Sequence, residues 1–241
     1  MFATIKLVIV IATLGSIAGI VGMPFSLLSG NIRALYRVSM GIINLGLGAA
    51  GIRRDVLGLE NVPAGRACIF MSNHVSNLDP PVLFPVLPGQ SSVLLKAELM
   101  KIPILGRAMR MGHFVPVERS SSREKAQQSV AAAADALRSG LHMLVFPEGT
   151  RSRDGRLQPF KKGSFFLAMQ TGAPVVPVLI TGTEHMMEKG SVAITPGLAV
   201  VRFLPPFYPE RYAHREALTE AVRAAMIAAL PEGMRPAGTA A

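Results

Sequence analysis

Tryptophan is absent from this 241-residue chain, cysteine occurs once and tyrosine three times, and acidic residues number 15 against 25 lysines and arginines. The lone Cys68 excludes an internal disulfide and a cysteine-built zinc cluster. It lies in the strand-like run Ala67 to Ser72, reads as a small buried hydrophobe, and suits a reduced, cytoplasm-facing domain. With so few aromatic rings and no nucleic-acid-binding motif, nucleic acid is not an expected partner, despite a formal net charge of +10. That charge favours phosphate-bearing molecules or an acidic lipid surface. Internal repeats are also lacking.

One stretch lacks charge altogether. From Leu7 to Leu28 there is no ionisable side chain, and at about 1.5 Å per residue a helix over this run is long enough to cross a bilayer. A second apolar stretch, Val38 to Ile52, is glycine-rich and shorter, and reads as a re-entrant or interfacial helix. Lys6 precedes the first stretch while Arg33, Arg37, Arg53 and Arg54 follow it, which places the main domain on the cytoplasmic face of a membrane. The competing reading is a cleaved signal peptide, with Leu7 to Leu14 as its core and Ser16 and Ala18 near a cut site; the second apolar stretch directly behind argues against it. The expected organisation is a pair of membrane-anchoring helices over 1–54, one domain over 55–230, and a disordered tail over 231–241.

Behind the anchor, strand-like runs alternate with helical patterns, which predicts an α/β fold. The runs are Ala67 to Ser72, Ser92 to Leu95, Phe114 to Val117, Leu141 to Phe146, Val175 to Ile180 and Ala199 to Phe203. A helix over Ser122 to Ser139, with Ser121 and Glu124 as a capping box and Gly140 behind it, carries Ala126, Val130, Ala133, Ala134 and Leu137 on one face. Another helix, Arg215 to Leu230, closes the domain. Pro177 inside an apolar run predicts a bent or edge strand.

Two polar motifs follow strand-like runs. Asn73-His74-Val75-Ser76-Asn77-Leu78-Asp79 offers a histidine base with a carboxylate five residues on, and Phe146-Pro147-Glu148-Gly149-Thr150-Arg151-Ser152 offers an arginine, a hydroxyl and glycine-freed amides suited to an anion. On a continuous helix His74 and Asp79 would stand about 140° apart, so the pair requires a turn. Asp79 before Pro80 equally fits a helix N-cap, and His74 equally fits a loop histidine bonded to backbone. Gly149-Thr150 also fits an ordinary turn, and Lys96, Lys161 and Lys162 a solvated surface.

The blocks His74 to Asp79, Gly112 to Arg119, Phe146 to Ser152 and Val175 to Val178 stand in the order found in the 1-acyl-sn-glycerol-3-phosphate (lysophosphatidic acid) acyltransferase family, which the chain resembles over roughly half its length. The resemblance implies a single mixed-sheet α/β acyltransferase domain with flanking helices, behind a two-helix device embedded in one leaflet. It implies His74 and Asp79 as the catalytic pair, Arg119 as a ligand of the acceptor phosphate, and Glu148, Gly149, Thr150 and Arg151 as the glycerol-phosphate pocket, with Lys96 and Lys161 adding positive charge. Glu118 departs from the family pattern, because a carboxylate there would repel a phosphate. Neither metal nor cofactor is called for: acyl-CoA or acyl-carrier protein is the co-substrate, and lysophosphatidic acid the acceptor. Rival readings are acylation of another lyso-lipid, such as lyso-ornithine lipid, or of glycerol 3-phosphate, and a non-catalytic membrane lipid-binding protein.

Overall fold

The computed structural model describes residues 1–117, 123–188 and 190–237. Helices α1 (Phe2–Ser29) and α2 (Arg33–Ala49) form an antiparallel hairpin closed by a left-handed Gly30. The chain then enters a seven-stranded sheet built from β1 (Ile52–Leu57), β2 (Ile69–Ser72), β3 (Ser91–Lys96), β4 (Val115–Val117), β5 (His142–Val145), β6 (Val175–Thr181) and β7 (Gly197–Phe203). Its order is β1-β7-β6-β2-β5-β3-β4. All neighbours are parallel except β6 and β7, so the sheet is mixed, and β2 to β6 end on one common edge.

The central strands read as apolar runs because both faces are covered. On β2, Ile69 and Met71 point into a core shared with α5 (Arg123–Arg138), α6 (Lys162–Thr171) and α8 (Arg215–Ala229). Cys68 and Phe70 point into the opposite core, with Leu7 of α1, Leu47 of α2 and Val82 and Leu83 of α3 (Asp79–Leu83). Burial pushes the Cys68 thiol up to about 11, so it stays protonated and packs as a hydrophobe. On α5, Ala133, Ala134 and Leu137 are buried, as the sequence pattern predicts. The side chain of Ala126 and the capping residue Ser121 lie outside the described residues.

Three expectations need correction. Ile52 to Arg54 belong to β1, paired in register with β7, and not to the anchor. The charged run Ile52-Arg-Arg-Asp-Val-Leu57 disguises this strand, because an edge strand buries little: only Ile52 is buried. Pro177 sits in an interior strand. The ladder on its β7 side is interrupted there: Leu204 donates to the Pro177 carbonyl and Val175 bonds with Phe207, so no partner needs the N–H that proline lacks. The segment from Pro231, expected as a disordered tail, packs as far as Arg235. Met234 is buried, its carbonyl accepts from Leu157 N–H, and the Arg235 carbonyl accepts from Arg156.

Helix α1 is long and apolar enough to cross a membrane by length and composition. Besides Ala3 and Leu7, which join the core, two further contacts dock it to the domain. The Thr4 hydroxyl donates to the Val192 carbonyl and accepts from Ile194 N–H, and Gly19 lies against Ile104. Those points are about 22 Å apart along the helix axis.

Candidate active site

Strand β2 ends at Ser72, and the next residue, Asn73, extends its pairing through a side chain. The Asn73 amide donates to the Ile180 carbonyl and accepts from Ile180 N–H, both at 2.8 Å. This anchors the loop that follows to β6. His74 is then held by its own backbone: its N–H donates to Glu148 Oε1 at 2.7 Å and its carbonyl accepts from Ser152 N–H at 2.7 Å. Its ring stacks on Phe146 with centroids 4.0 Å apart. Backbone and ring are thus both fixed before any substrate arrives.

The loop turns back through Ser76, and Asp79 arrives beside the imidazole, 2.7 Å from Nδ1 to Oδ2. That carboxylate is fully buried. Its Oδ2 also accepts from the backbone N–H groups of Val75 and Ser76 at 2.7 and 2.8 Å, and its Oδ1 accepts the Thr183 hydroxyl at 2.6 Å. The N-cap reading of Asp79 is overturned: the carboxylate reaches back to the loop and makes no capping bond to α3. Because Asp79 can only accept when ionised, Nδ1 carries the proton and Nε2 is the basic nitrogen. No described residue bonds to Nε2, and the side chain is 16% exposed.

The second motif follows β5. Glu148 is 2% exposed, with Oε1 on His74 N–H and Oε2 on Gln158 N–H at 2.8 Å. Burial pushes its carboxyl up to about 7. Glu148, expected in the phosphate pocket, is buried with each carboxylate oxygen accepting a backbone amide. It joins the His74 loop to the loop at Gln158. Gly149 adopts φ +69°, and its N–H donates to the Phe146 carbonyl, so that amide closes a turn and is not presented to an anion. A Cβ on Gly149 would lie 2.8 Å from Lys161 Cδ, so glycine is needed both for the turn and for the lysine stem crossing it.

Lys161 therefore stands over the motif, with Thr150 exposed at its rim and Arg151 half-buried one residue before the Ser152 amide that binds His74. Lys96 ends β3 on the same edge, pairs with Glu98 at 3.3 Å, and is two strand spacings, about 10 Å, across the sheet from β2. Arg119, with Glu118, lies outside the described residues, just past β4. Asn73, Phe146 and Thr183 were given no role in the sequence reading. The first two stand inside recognisable motifs, whereas nothing local to Thr183, 104 residues from Asp79, signals the contact.

A buried carboxylate that orients a histidine, beside a cationic loop on the carboxyl edge of the parallel strands of a mixed sheet, is an arrangement chemically suited to general-base work near an anion. Residues 53–181 match the family model described as Acyltransferase, and the chain belongs to that family. A chloroplastic 1-acyl-sn-glycerol-3-phosphate acyltransferase of Brassica napus is 41% identical over 144 residues, covering 59% of this chain and 41% of the relative. The 1-acyl-sn-glycerol-3-phosphate acyltransferase of Limnanthes douglasii is 31% identical over 78% of this chain and 67% of its own, and the human alpha enzyme 32% over 66% and 56%. The matches thus span about half the length of several of these curated relatives. Among solved structures, the 1-acyl-sn-glycerophosphate (LPA) acyltransferase PlsC of Thermotoga maritima matches with a TM-score of 0.77 and 29% identity, covering 92% of this chain and 91% of that one.

Proposed function

We propose that this protein transfers a fatty acyl chain from a thioester donor, acyl-CoA or acyl-carrier protein, to the sn-2 hydroxyl of lysophosphatidic acid, forming phosphatidic acid for phospholipid synthesis. The observation that carries the reading is the 2.7 Å contact between His74 Nδ1 and the buried Asp79. An alcohol is a poor nucleophile while protonated, and in this reading His74 Nε2 takes its proton as the oxygen attacks the thioester carbonyl. Asp79 steadies the imidazolium that forms. Collapse of the tetrahedral intermediate expels the thiolate, and His74 returns the proton to it. The acyl group never bonds to the enzyme in this scheme.

Lys161, Arg151, Thr150 and, further along the edge, Lys96 supply cationic and hydroxyl groups for the acceptor phosphate, with Arg119 as a further candidate. Such contacts hold the acceptor so that binding energy orients its hydroxyl at His74. Glu148 acts through His74 and not on the phosphate.

The exposed apolar side chains of α1 support attachment to a membrane, and the arginines behind it favour the cytoplasmic face. Docking of α1 to the domain at both Thr4 and Gly19 favours embedding in one leaflet over an independent span.

The test is acyl transfer by membranes containing wild type or His74→Ala, offered labelled acyl-CoA or acyl-carrier protein with lysophosphatidic acid, lyso-ornithine lipid or glycerol 3-phosphate. Labelled phosphatidic acid from wild type alone supports both reaction and base. Activity in His74→Ala removes that residue from the mechanism, and product with a different acceptor reassigns the substrate.

A further inference from the structure

A wedge of chain between β3 and β4 departs from ordinary surface chemistry. It comprises a 3-10 turn, Ala97–Lys101, and helix α4, Leu105–Met111. Met100 is buried beneath it, with its carbonyl held by the Arg110 guanidinium at 3.0 Å. Gly106 packs so tightly on that carbonyl that a Cβ would stand 2.1 Å from it. Above this base, Leu99, Ile102 and Leu105 are 40%, 43% and 44% exposed, three large apolar side chains within seven residues. A soluble surface does not gain from such a cluster.

The wedge is locked to α1. Ile104 adopts φ +62°, a strained conformation for a β-branched residue, and its methyl fills the notch at Gly19, where a Cβ would lie 2.4 Å from Ile104 Cγ2. Ile17 and Ile20, on either side of Gly19, are themselves 59% and 62% exposed. The apolar surface of α1 therefore continues onto the catalytic domain at this point. Around it the charge has one sign: Lys101, Arg107 and Arg110 are exposed, and the one acidic residue of the wedge, Glu98, is paired with Lys96.

We propose that residues 97–111 are a second membrane-docking surface, which seats Leu99, Ile102 and Leu105 in an anionic lipid surface beside α1 while Lys101 and Arg107 meet the headgroups. The inference rests on the reading of α1 as a membrane anchor and extends the contact to the catalytic domain. Continuity with α1 and the one-sided charge are what select lipid over a protein partner. Lys96, a candidate phosphate ligand, opens the wedge and would thereby be held near headgroup level, where a lyso-lipid acceptor presents its phosphate.

The absence of tryptophan makes the test direct. Single reporters Ile102→Trp, Leu105→Trp, Phe25→Trp on α1 and Phe166→Trp on α6 are placed in the full chain, and their emission is read in vesicles of phosphatidylcholine and phosphatidylglycerol carrying brominated acyl chains. All four positions are exposed, so the ring fits without repacking. The expected result is a blue shift and quenching at 102, 105 and 25 but not at 166, on the opposite face of the sheet. Loss of the 105 signal in Lys101→Glu/Arg107→Glu, with the 25 signal kept, supports the anionic contact. Quenching at 25 without quenching at 102 and 105 overturns the proposal alone, whereas quenching at neither overturns the anchor reading as well. A blue shift at 102 and 105 without quenching, accompanied by dimers in sedimentation, would assign the patch to a second copy of the chain and also overturn the proposal.

Discussion

Replacing Asp79 by Asn separates the charge of this residue from its shape. The carboxylate accepts three bonds at Oδ2, from His74 Nδ1, Val75 N–H and Ser76 N–H, and one at Oδ1 from Thr183. An asparagine amide can reproduce that pattern, with its oxygen facing the three N–H donors and its NH2 donating to the Thr183 hydroxyl. The imidazole then keeps its tautomer, and what disappears is the negative charge beside the imidazolium. Unit charges about 4 Å apart at an effective dielectric of about 20 attract by about 4 kcal/mol, of which a neutral hydrogen bond retains about 1. A loss of ~2–3 kcal/mol in the transition state lowers kcat by ~30- to 150-fold. Asp79→Ala should behave differently, because it strands two buried backbone N–H groups at about 1–3 kcal/mol each and destabilises the loop itself. The assay is kcat at saturating donor and acceptor in proteoliposomes, with the thermal midpoint of each variant. An Asp79→Asn enzyme within about threefold of wild type would refute the electrostatic role and leave Asp79 as a loop anchor.

Glu148→Gln should lower kcat with little change in the acceptor KM, since Glu148 holds His74 N–H and Gln158 N–H; a raised KM with kcat intact would restore it as a phosphate ligand. The same residue gives stability a pH dependence. Its folded pKa of about 7 lies above the ordinary 4.5, so the native state binds the extra proton between those values. Stability from this group therefore falls by about 3 kcal/mol as pH rises from about 4.5 through about 7, and is level beyond. Thermal midpoints across that window should show the decline in wild type and a flatter profile in Glu148→Gln; an identical slope in both would exclude Glu148 as its source. Gly149→Ala forces a Cβ onto a residue at φ +69° and against Lys161. It should cost ~1–2 kcal/mol and raise the acceptor KM by displacing the lysine, and an unchanged KM would take Lys161 away from the phosphate.

The motif strands, α5 and α8 were legible because burial on one or both faces writes a period or a continuous run into the chain. His74, Asp79 and the Glu148 to Arg151 loop were legible as chemistry, since each stands directly behind such a run. Helix α6 was not, because Ser164, Phe165, Leu167 and Ala168 are all buried and leave no clean polar face to mark its period. Strand β1 was hidden by its charges for the opposite reason, as an edge with little to bury.

The sequence by itself determined the family, the mixed α/β class and the candidate base, because these follow from local residue types and their order along the chain. The tertiary structure decided what the neighbouring residues do. Asp79 could have capped a helix, yet its carboxylate turns back because Val75 N–H, Ser76 N–H and the distant Thr183 hydroxyl converge on it once β2 and β6 lie side by side. Glu148 could have faced a phosphate, yet burial left backbone amides as its partners. A polar side chain bonds to whatever donors the fold brings within 3 Å or so of it, and that geometry is a property of strand order, which no local stretch of sequence contains.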